Sequence, residues 1–360
     1  MIEMENLGPP NSENPIPRLR FAHLPTPVEE LSRISERLGG PRLFVKRDDQ
    51  TGLAFGGNKT RKLEFLVAQA KREGADTLVS AGALQSNHCR QTAAAAAMFG
   101  MDCTLVLTGT PSARPDANLL LDKILGARIV HVLDRADRDR VLKETCDAAA
   151  RAGRRPYLVP YGGSNPAGAL AYAFALEELM EQIGRGETGG RVPDYIVFPT
   201  SSGGTHAGLT LGKRLYGYPG DILGISIDES ESWLKDRVSA LASDASELLG
   251  ARIEFDHQDV LATDAYCKAG YGVLTDPERR AISLFARTEG LLLDPVYTGR
   301  AAAGLLDLIE RGYFRKEDTV LFWHTGGQPA LFAEGYASTL DRPSGDSDRY
   351  SSPKTAASNR

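Results

Sequence analysis

Gly56-Gly57-Asn58-Lys59 combines residue types that chemistry can use. The glycine pair frees the backbone. Asn58 can cap the helix that Leu63, Leu66, Val67 and Ala70 announce by their spacing, which places Lys59 at a helix N-terminus. Exposed amides there carry partial positive charge, and Arg61 and Lys62 follow closely, so the ammonium form of Lys59 is disfavoured. A lysine in that state can attack a carbonyl carbon and form an imine. Taken alone, Gly-Gly-X-Lys is more often a loop before a surface lysine. Its company decides.

The second group is Thr200-Ser201-Ser202-Gly203-Gly204-Thr205, between a predicted strand and a helix from His206. Small residues let backbone amides point inward, the helix dipole favours an anion, and Ser202 and Thr205 add hydroxyls. No lysine accompanies this loop in sequence, which favours a phosphate monoester held by backbone donors over a triphosphate. A nucleotide P-loop at Gly52 to Thr60 fails by one inserted residue, Asn58, and no strand ends in an aspartate with a clear magnesium role. Gly82 to His88 offers a third corner, where Ser86 and Asn87 beside helix-start amides suit a carboxylate, although either could be only a cap. Tyr297, after Asp294-Pro295, can shuttle protons if a neighbouring ammonium lowers its pKa. Tyr271 lies in a glycine-flanked loop suited to lining a pocket. His88, His206 and His324 lack visible acidic partners and read as structural.

The elements that must position these groups follow a regular alternation. Predicted strands begin at Thr77, Cys103, Ala127 and Tyr157, with helical patterns between them, at the spacing of a βα repeat. A second set has strands at Tyr195–Phe198, Ile222–Ser226 and Val320–Trp323, and Leu43–Lys46 precedes the glycine loop. The alternation predicts an α/β chain with two open, mostly parallel sheets wrapped by helices. Five candidate loops, at Gly56, Gly82, Thr200, Tyr297 and Thr325, lie at carboxyl ends of strands, where ligands gather. Residues 1–17 and 341–360 read as disordered tails. Residues 18–60 with 170–340 read as a large domain and 61–169 as a small one.

With 360 residues and net charge −5, the chain has no basic tract to suggest nucleic acid or an anionic membrane. No apolar run reaches membrane-spanning length. The four cysteines form no Cys-x-x-Cys pair, which argues against zinc and disulfides and fits a reducing cytoplasm.

Five stretches, GGNKTRKLEFL from Gly56, QSNHCRQTA from Gln85, SGGTHAGL from Ser202, DPVYTG from Asp294 and HTGGQPALF from His324, resemble pyridoxal-phosphate enzymes of the tryptophan synthase β fold, fold type II. The nearest group contains D-cysteine desulfhydrase and 1-aminocyclopropane-1-carboxylate deaminase. The resemblance runs from about Phe21 to Phe332. It implies a cofactor between the domains, with Lys59 joined to its aldehyde, Asn87 beside its phenolic oxygen, and Ser202, Gly203, Gly204 and Thr205 around its phosphate. It places Ser86 at the substrate carboxylate and Tyr271 and Tyr297 beside the reacting carbon. Thr298 and Thr325 stand where cyclopropane deaminases carry Glu and Leu, a desulfhydrase-like pair. A threonine hydroxyl cannot keep the pyridine nitrogen protonated as a carboxylate would, and a milder electron sink suits expulsion of a good leaving group from Cβ. The implied reaction is β-elimination from D-cysteine by a cytoplasmic homodimer. Cyclopropane deaminase, L-cysteate sulfo-lyase and a non-catalytic phosphate-ligand binder are the alternatives. Arg300 stands where relatives often have lysine.

Overall fold

A computed structural model describes residues 2–7, 15–110 and 114–340. Strands β1 (Met4–Leu7) and β2 (Ile16–Leu19) pair antiparallel, and Ile16 is buried. This corrects the disordered reading for those residues: Ile16 and Leu19 supply apolar anchors despite the polar composition around them. The tail from 341 lies outside the described residues.

Strands β3 (Val28–Glu30) and β4 (Arg42–Arg47) begin the larger sheet. Strands β5 (Thr77–Ala83), β6 (Asp102–Thr108), β7 (Arg128–Val132) and β8 (Pro156–Leu158) form a parallel four-stranded sheet in the order β7-β6-β5-β8. Strands β9 (Tyr195–Thr200), β10 (Asp221–Ser226), β11 (Leu261–Thr263) and β12 (Thr319–His324) complete the larger sheet. Its order is β11-β10-β9-β12-β4-β3, parallel except for β3 against β4.

The period-2 alternation of a sheet covered on both faces sorts its core. Leu43, Val45, Val197, Val320 and Phe322 face one helical layer, while Phe44, Ile196, Phe198, Leu321 and Trp323 face the other. In the smaller sheet, Leu105 and Leu107 pack on the alanine run of the helix Asn87–Met98 and on Leu63, Leu66 and Val67 of the helix Asn58–Arg72. Alanines allow this close approach because they add little bulk between helix and sheet.

Each sheet has a switch point. β9 is flanked by β10 and β12, and β5 by β6 and β8. Crevices at the carboxyl ends of such strands are where open α/β sheets bind ligands. The turn after β9 is the serine-glycine loop, and the loop after β5 carries Ser86 and Asn87. The topology therefore points two of the candidate groups at a shared crevice.

Candidate active site

All five loops meet in one cavity. Its wall includes Asn58 and Lys59, Ser86 to His88, Thr200 to Gly203 with Thr205, Tyr297, and Thr325 with Gly326. Lys59 begins the helix Asn58–Arg72, whose N-cap is Gly57 at φ 120°, a conformation that excludes other residues. Asn58 is not the cap expected. Its backbone N–H donates to the Thr325 carbonyl (3.0 Å) and its Nδ2 to Thr205 Oγ1 (3.1 Å), while its Oδ1 accepts from Lys59 Nζ (2.9 Å). The side chain thus ties the lysine to the loop after β9 and to the loop after β12.

Burial lowers the Lys59 pKa to about 8; Asp294 opposes the shift and Arg90 adds to it. The direction agrees with the sequence expectation, but Arg61 is not the cause. It turns away to pair with Asp48 (2.8 Å) and Glu178 (2.9 Å). Lys62 does return to the site. Its Nζ donates to the Gly162 carbonyl (3.2 Å) and the Ser164 hydroxyl (3.4 Å), and a Cβ on Gly204 would lie 2.9 Å from it. Burial, then Lys59 and Arg237, holds its pKa well below the ordinary value. The expectation that no lysine accompanies the serine-glycine loop is therefore corrected: one helical turn carries Lys62 from Lys59 to the base of that loop.

The loop itself is an anion nest. Gly203 adopts φ 84° as N-cap of the helix Gly204–Tyr216, and Gly204 N donates to Ser164 Oγ (3.1 Å), which shares a 2.8 Å hydrogen bond with Ser202 Oγ. The hydroxyl of Thr200, buried at the same wall, has no partner among the described residues. A buried polar group left so is costly unless a ligand completes it.

Ser86 caps the helix Asn87–Met98, its Oγ accepting from Cys89 N (3.2 Å), and it faces the cavity as well. Tyr297 and Tyr271 share a 2.8 Å hydroxyl hydrogen bond, Tyr297 in the wall and Tyr271 behind it. Both phenol pKa values are pushed well above the ordinary value, so the lowering that a neighbouring ammonium would give Tyr297 is not seen. Burial is the main cause for each; Tyr271 and Tyr161 raise Tyr297 further, and the main causes of both shifts include no cation. Thr298 is also placed differently from expectation. Its buried hydroxyl donates to Asp294 Oδ1 (2.7 Å) and accepts from Asp294 N (2.7 Å), so its proton is committed to Asp294 and not to a ring nitrogen. Asp294 also accepts from the backbone of Val296, Tyr297 and Thr298, which folds the turn that presents Tyr297. Thr325 remains in the wall.

One contributor escaped the sequence reading, and a second, Arg300, was noted there without a role. Tyr161, in the loop after β8, forms part of the wall beneath the Arg138 guanidinium, 4.6 Å from its ring centre. Its only signal is the Gly162-Gly163 pair that follows. Buried Arg300 donates to Glu278 (2.9 Å) and to the carbonyls of Ile227, Gly270 and Val273, and so braces the loop carrying Tyr271. Of the histidines, His324 sits between Gly326 N and the Leu292 carbonyl, a packing role. His88 reaches the cavity wall but is held by Ser80.

The pyridoxal-phosphate dependent enzyme family matches residues 19–326. The chain belongs to this family. A solved structure of an ACC deaminase homologue is 36% identical, covers 90% of this chain and 95% of its own, and superposes with a TM-score of 0.81. That likeness places the chain in the ACC deaminase and D-cysteine desulfhydrase group of the family, with fold type II. The cofactor is pyridoxal phosphate.

The residues present fit that cofactor. The nest of Ser201 to Gly203, with Thr205 and the underlying Lys62, suits its phosphate; the Asn87 amide suits its phenolic oxygen; and Lys59 suits its aldehyde. When bound, pyridoxal phosphate supplies an aldehyde for an amine and a ring that withdraws electrons from the substrate Cα. Among the described residues no group of His, Cys, Asp or Glu could hold a metal ion, and no helix is long and apolar enough to cross a membrane.

Proposed function

We propose that this chain catalyses β-elimination from a small amino acid, foremost D-cysteine, yielding pyruvate, hydrogen sulfide and ammonia. The observation that carries this reading is a cavity wall that, among the described residues, holds Lys59 and the tyrosines Tyr161 and Tyr297 but no carboxylate. Asp294, the carboxylate that Lys59 feels, lies outside that wall and is engaged by Val296, Tyr297 and Thr298, so no wall carboxylate would keep the ring nitrogen protonated, which favours short-lived carbanion character and a good leaving group. That weighs against a cyclopropane deaminase.

Each protein group has a role. Ser86 and the amides opening its helix hold the substrate carboxylate. Lys59, with its pKa near 8, takes the Cα proton. Tyr297, whose phenol stays protonated at neutral pH, donates to the departing sulfur while Tyr271 orients its hydroxyl. The C–S bond breaks, its electron pair leaves on sulfur, and the released 2-aminoacrylate is hydrolysed to pyruvate and ammonia. Sulfonate release from L-cysteate would need a free cation, and the Arg300 fork is already engaged. The half-buried lysine and paired tyrosines argue for catalysis over ligand storage.

Four free cysteines accord with a reducing cytoplasm, which we propose as the location. A homodimer is proposed from family likeness alone, and sedimentation velocity tests it. The activity is tested by measuring pyruvate and sulfide from D-cysteine, L-cysteine, L-cysteate and 1-aminocyclopropane-1-carboxylate. D-cysteine is expected to give both products fastest. Pyruvate-free turnover of the cyclopropane acid, or preference for cysteate, would overturn the reading.

A further inference from the structure

Arg90 is fully buried and makes no ion pair among the described residues, yet it bonds two loops of the site and the neighbouring helix Ala117–Ile124. Its Nη2 donates to the Gly56 carbonyl (2.8 Å), just ahead of Lys59. Its Nη1 donates to Asn118 Oδ1 (2.9 Å) and to Asn87 Oδ1 (3.2 Å). A guanidinium has donors and no acceptor, so every amide facing it must present oxygen. That fixes Asn118, whose Nδ2 then donates to the Gln85 carbonyl (2.9 Å) and to Asn87 Oδ1 (2.9 Å). The Gln85 side chain adds a further restraint, its Oε1 accepting from Asn118 N (2.9 Å).

The Asn87 oxygen is therefore saturated by two donors, and both protons of its NH2 remain for the cavity. Gly327 leaves the room: a Cβ there would lie 2.8 Å from Asn87 Nδ2. We propose that Arg90 and Asn118 are positioning residues that set the polarity of Asn87, so that it presents NH2 and never its carbonyl to the phenolic oxygen of pyridoxal phosphate. An amide is nearly symmetric in shape, and without this relay either end would fit. The wrong end would set a carbonyl dipole against a phenolate. Arg90 also lowers the Lys59 pKa, so one buried cation serves both contacts with the cofactor. The inference rests on the cofactor and not on the substrate, and a failure of the D-cysteine reading leaves it standing.

The test compares binding of pyridoxal phosphate with that of its 3-deoxy analogue, which lacks the phenolic oxygen, by equilibrium dialysis against cofactor-free protein. Wild type is expected to prefer the natural cofactor by about tenfold or more, the size of a charge-assisted hydrogen bond. In Asn118→Asp the new carboxylate still accepts from Arg90 but cannot donate to Asn87, which turns its NH2 toward it. The preference is then expected to fall about tenfold, with the analogue's own affinity changed far less. Asn118→Leu removes the same donor without adding charge. It should lower the preference in the same direction, and it carries the test if the aspartate variant does not fold. An unchanged ratio, with both affinities falling together, would mean that Asn118 only supports the fold. No preference in the wild type would overturn the proposal outright.

Discussion

Two groups of enclosed cations lie on either side of one helix start and have opposite surroundings. Lys46 and Arg61 are enclosed by carboxylates: Arg61 bonds Asp48 and Glu178, Lys46 bonds Glu178 at 2.5 Å, and the Tyr172 hydroxyl donates to Asp48. Lys59, Lys62 and Arg90 make no ion pair among the described residues, and burial lowers the pKa of all three. Arg61 and Lys62 are adjacent in sequence, and a rotation of about 100° along the helix separates their fates. Neutralised cations brace the fold. Cations with no carboxylate in ion-pair contact can take up an anion or give up a proton, and both outcomes suit a phosphate-bearing aldehyde.

The contrast can be broken at either end, and the largest effect lies on the unpaired side. Lys59→Ala is expected to abolish turnover and the visible absorbance that develops when pyridoxal phosphate is added; colour with turnover intact would refute the assignment. On the paired side, Arg61→Ala leaves two buried carboxylates with a single cation, and urea unfolding should show a loss of about 3–5 kcal/mol. An unchanged midpoint would mean that the network is dispensable. Tyr297→Phe keeps the ring and removes the proton donor, so turnover should drop about a hundredfold at unaltered cofactor affinity. Equal turnover would remove Tyr297 from the chemistry. Lys62→Gln should weaken cofactor binding by about tenfold, as loss of one charged hydrogen bond does, and inorganic phosphate should compete less well with the cofactor in this variant. Smallest is a pH effect. Only the neutral amine attacks an aldehyde, and the Lys59 pKa is lowered to about 8, so the rate of colour formation should climb with pH and level off above about 8. A rate still climbing near pH 10.5, the ordinary lysine value, would mean that the site does not tune its amine.

Much of this was legible in the chain. The strand-to-helix alternation and the five loops at strand ends needed only periodicity and small residues, because those patterns are local. What escaped was set by three-dimensional neighbours. Nothing near Lys62 in sequence announces that its side chain passes beneath a turn about 140 residues later, at Ser202 to Gly204. Thr298 matches a family position, but the Asp294 carboxylate four residues earlier claims its hydroxyl, a bond that only the turn geometry creates. The condition set for Tyr297, a pKa lowered by a neighbouring ammonium, is not met, because the phenol is packed against Tyr271, a partner 26 residues away. Strands β1, β3 and β11 are three or four residues long, too short for alternation to register.

The most direct test of the central claim is chemical. Protein loaded with pyridoxal phosphate is reduced with borohydride, digested, and the pyridoxyl mass located by tandem mass spectrometry. The account predicts the label on Lys59 alone, with Lys62 unmodified. Label on Lys62, or spread over surface lysines with Lys59 bare, would contradict it.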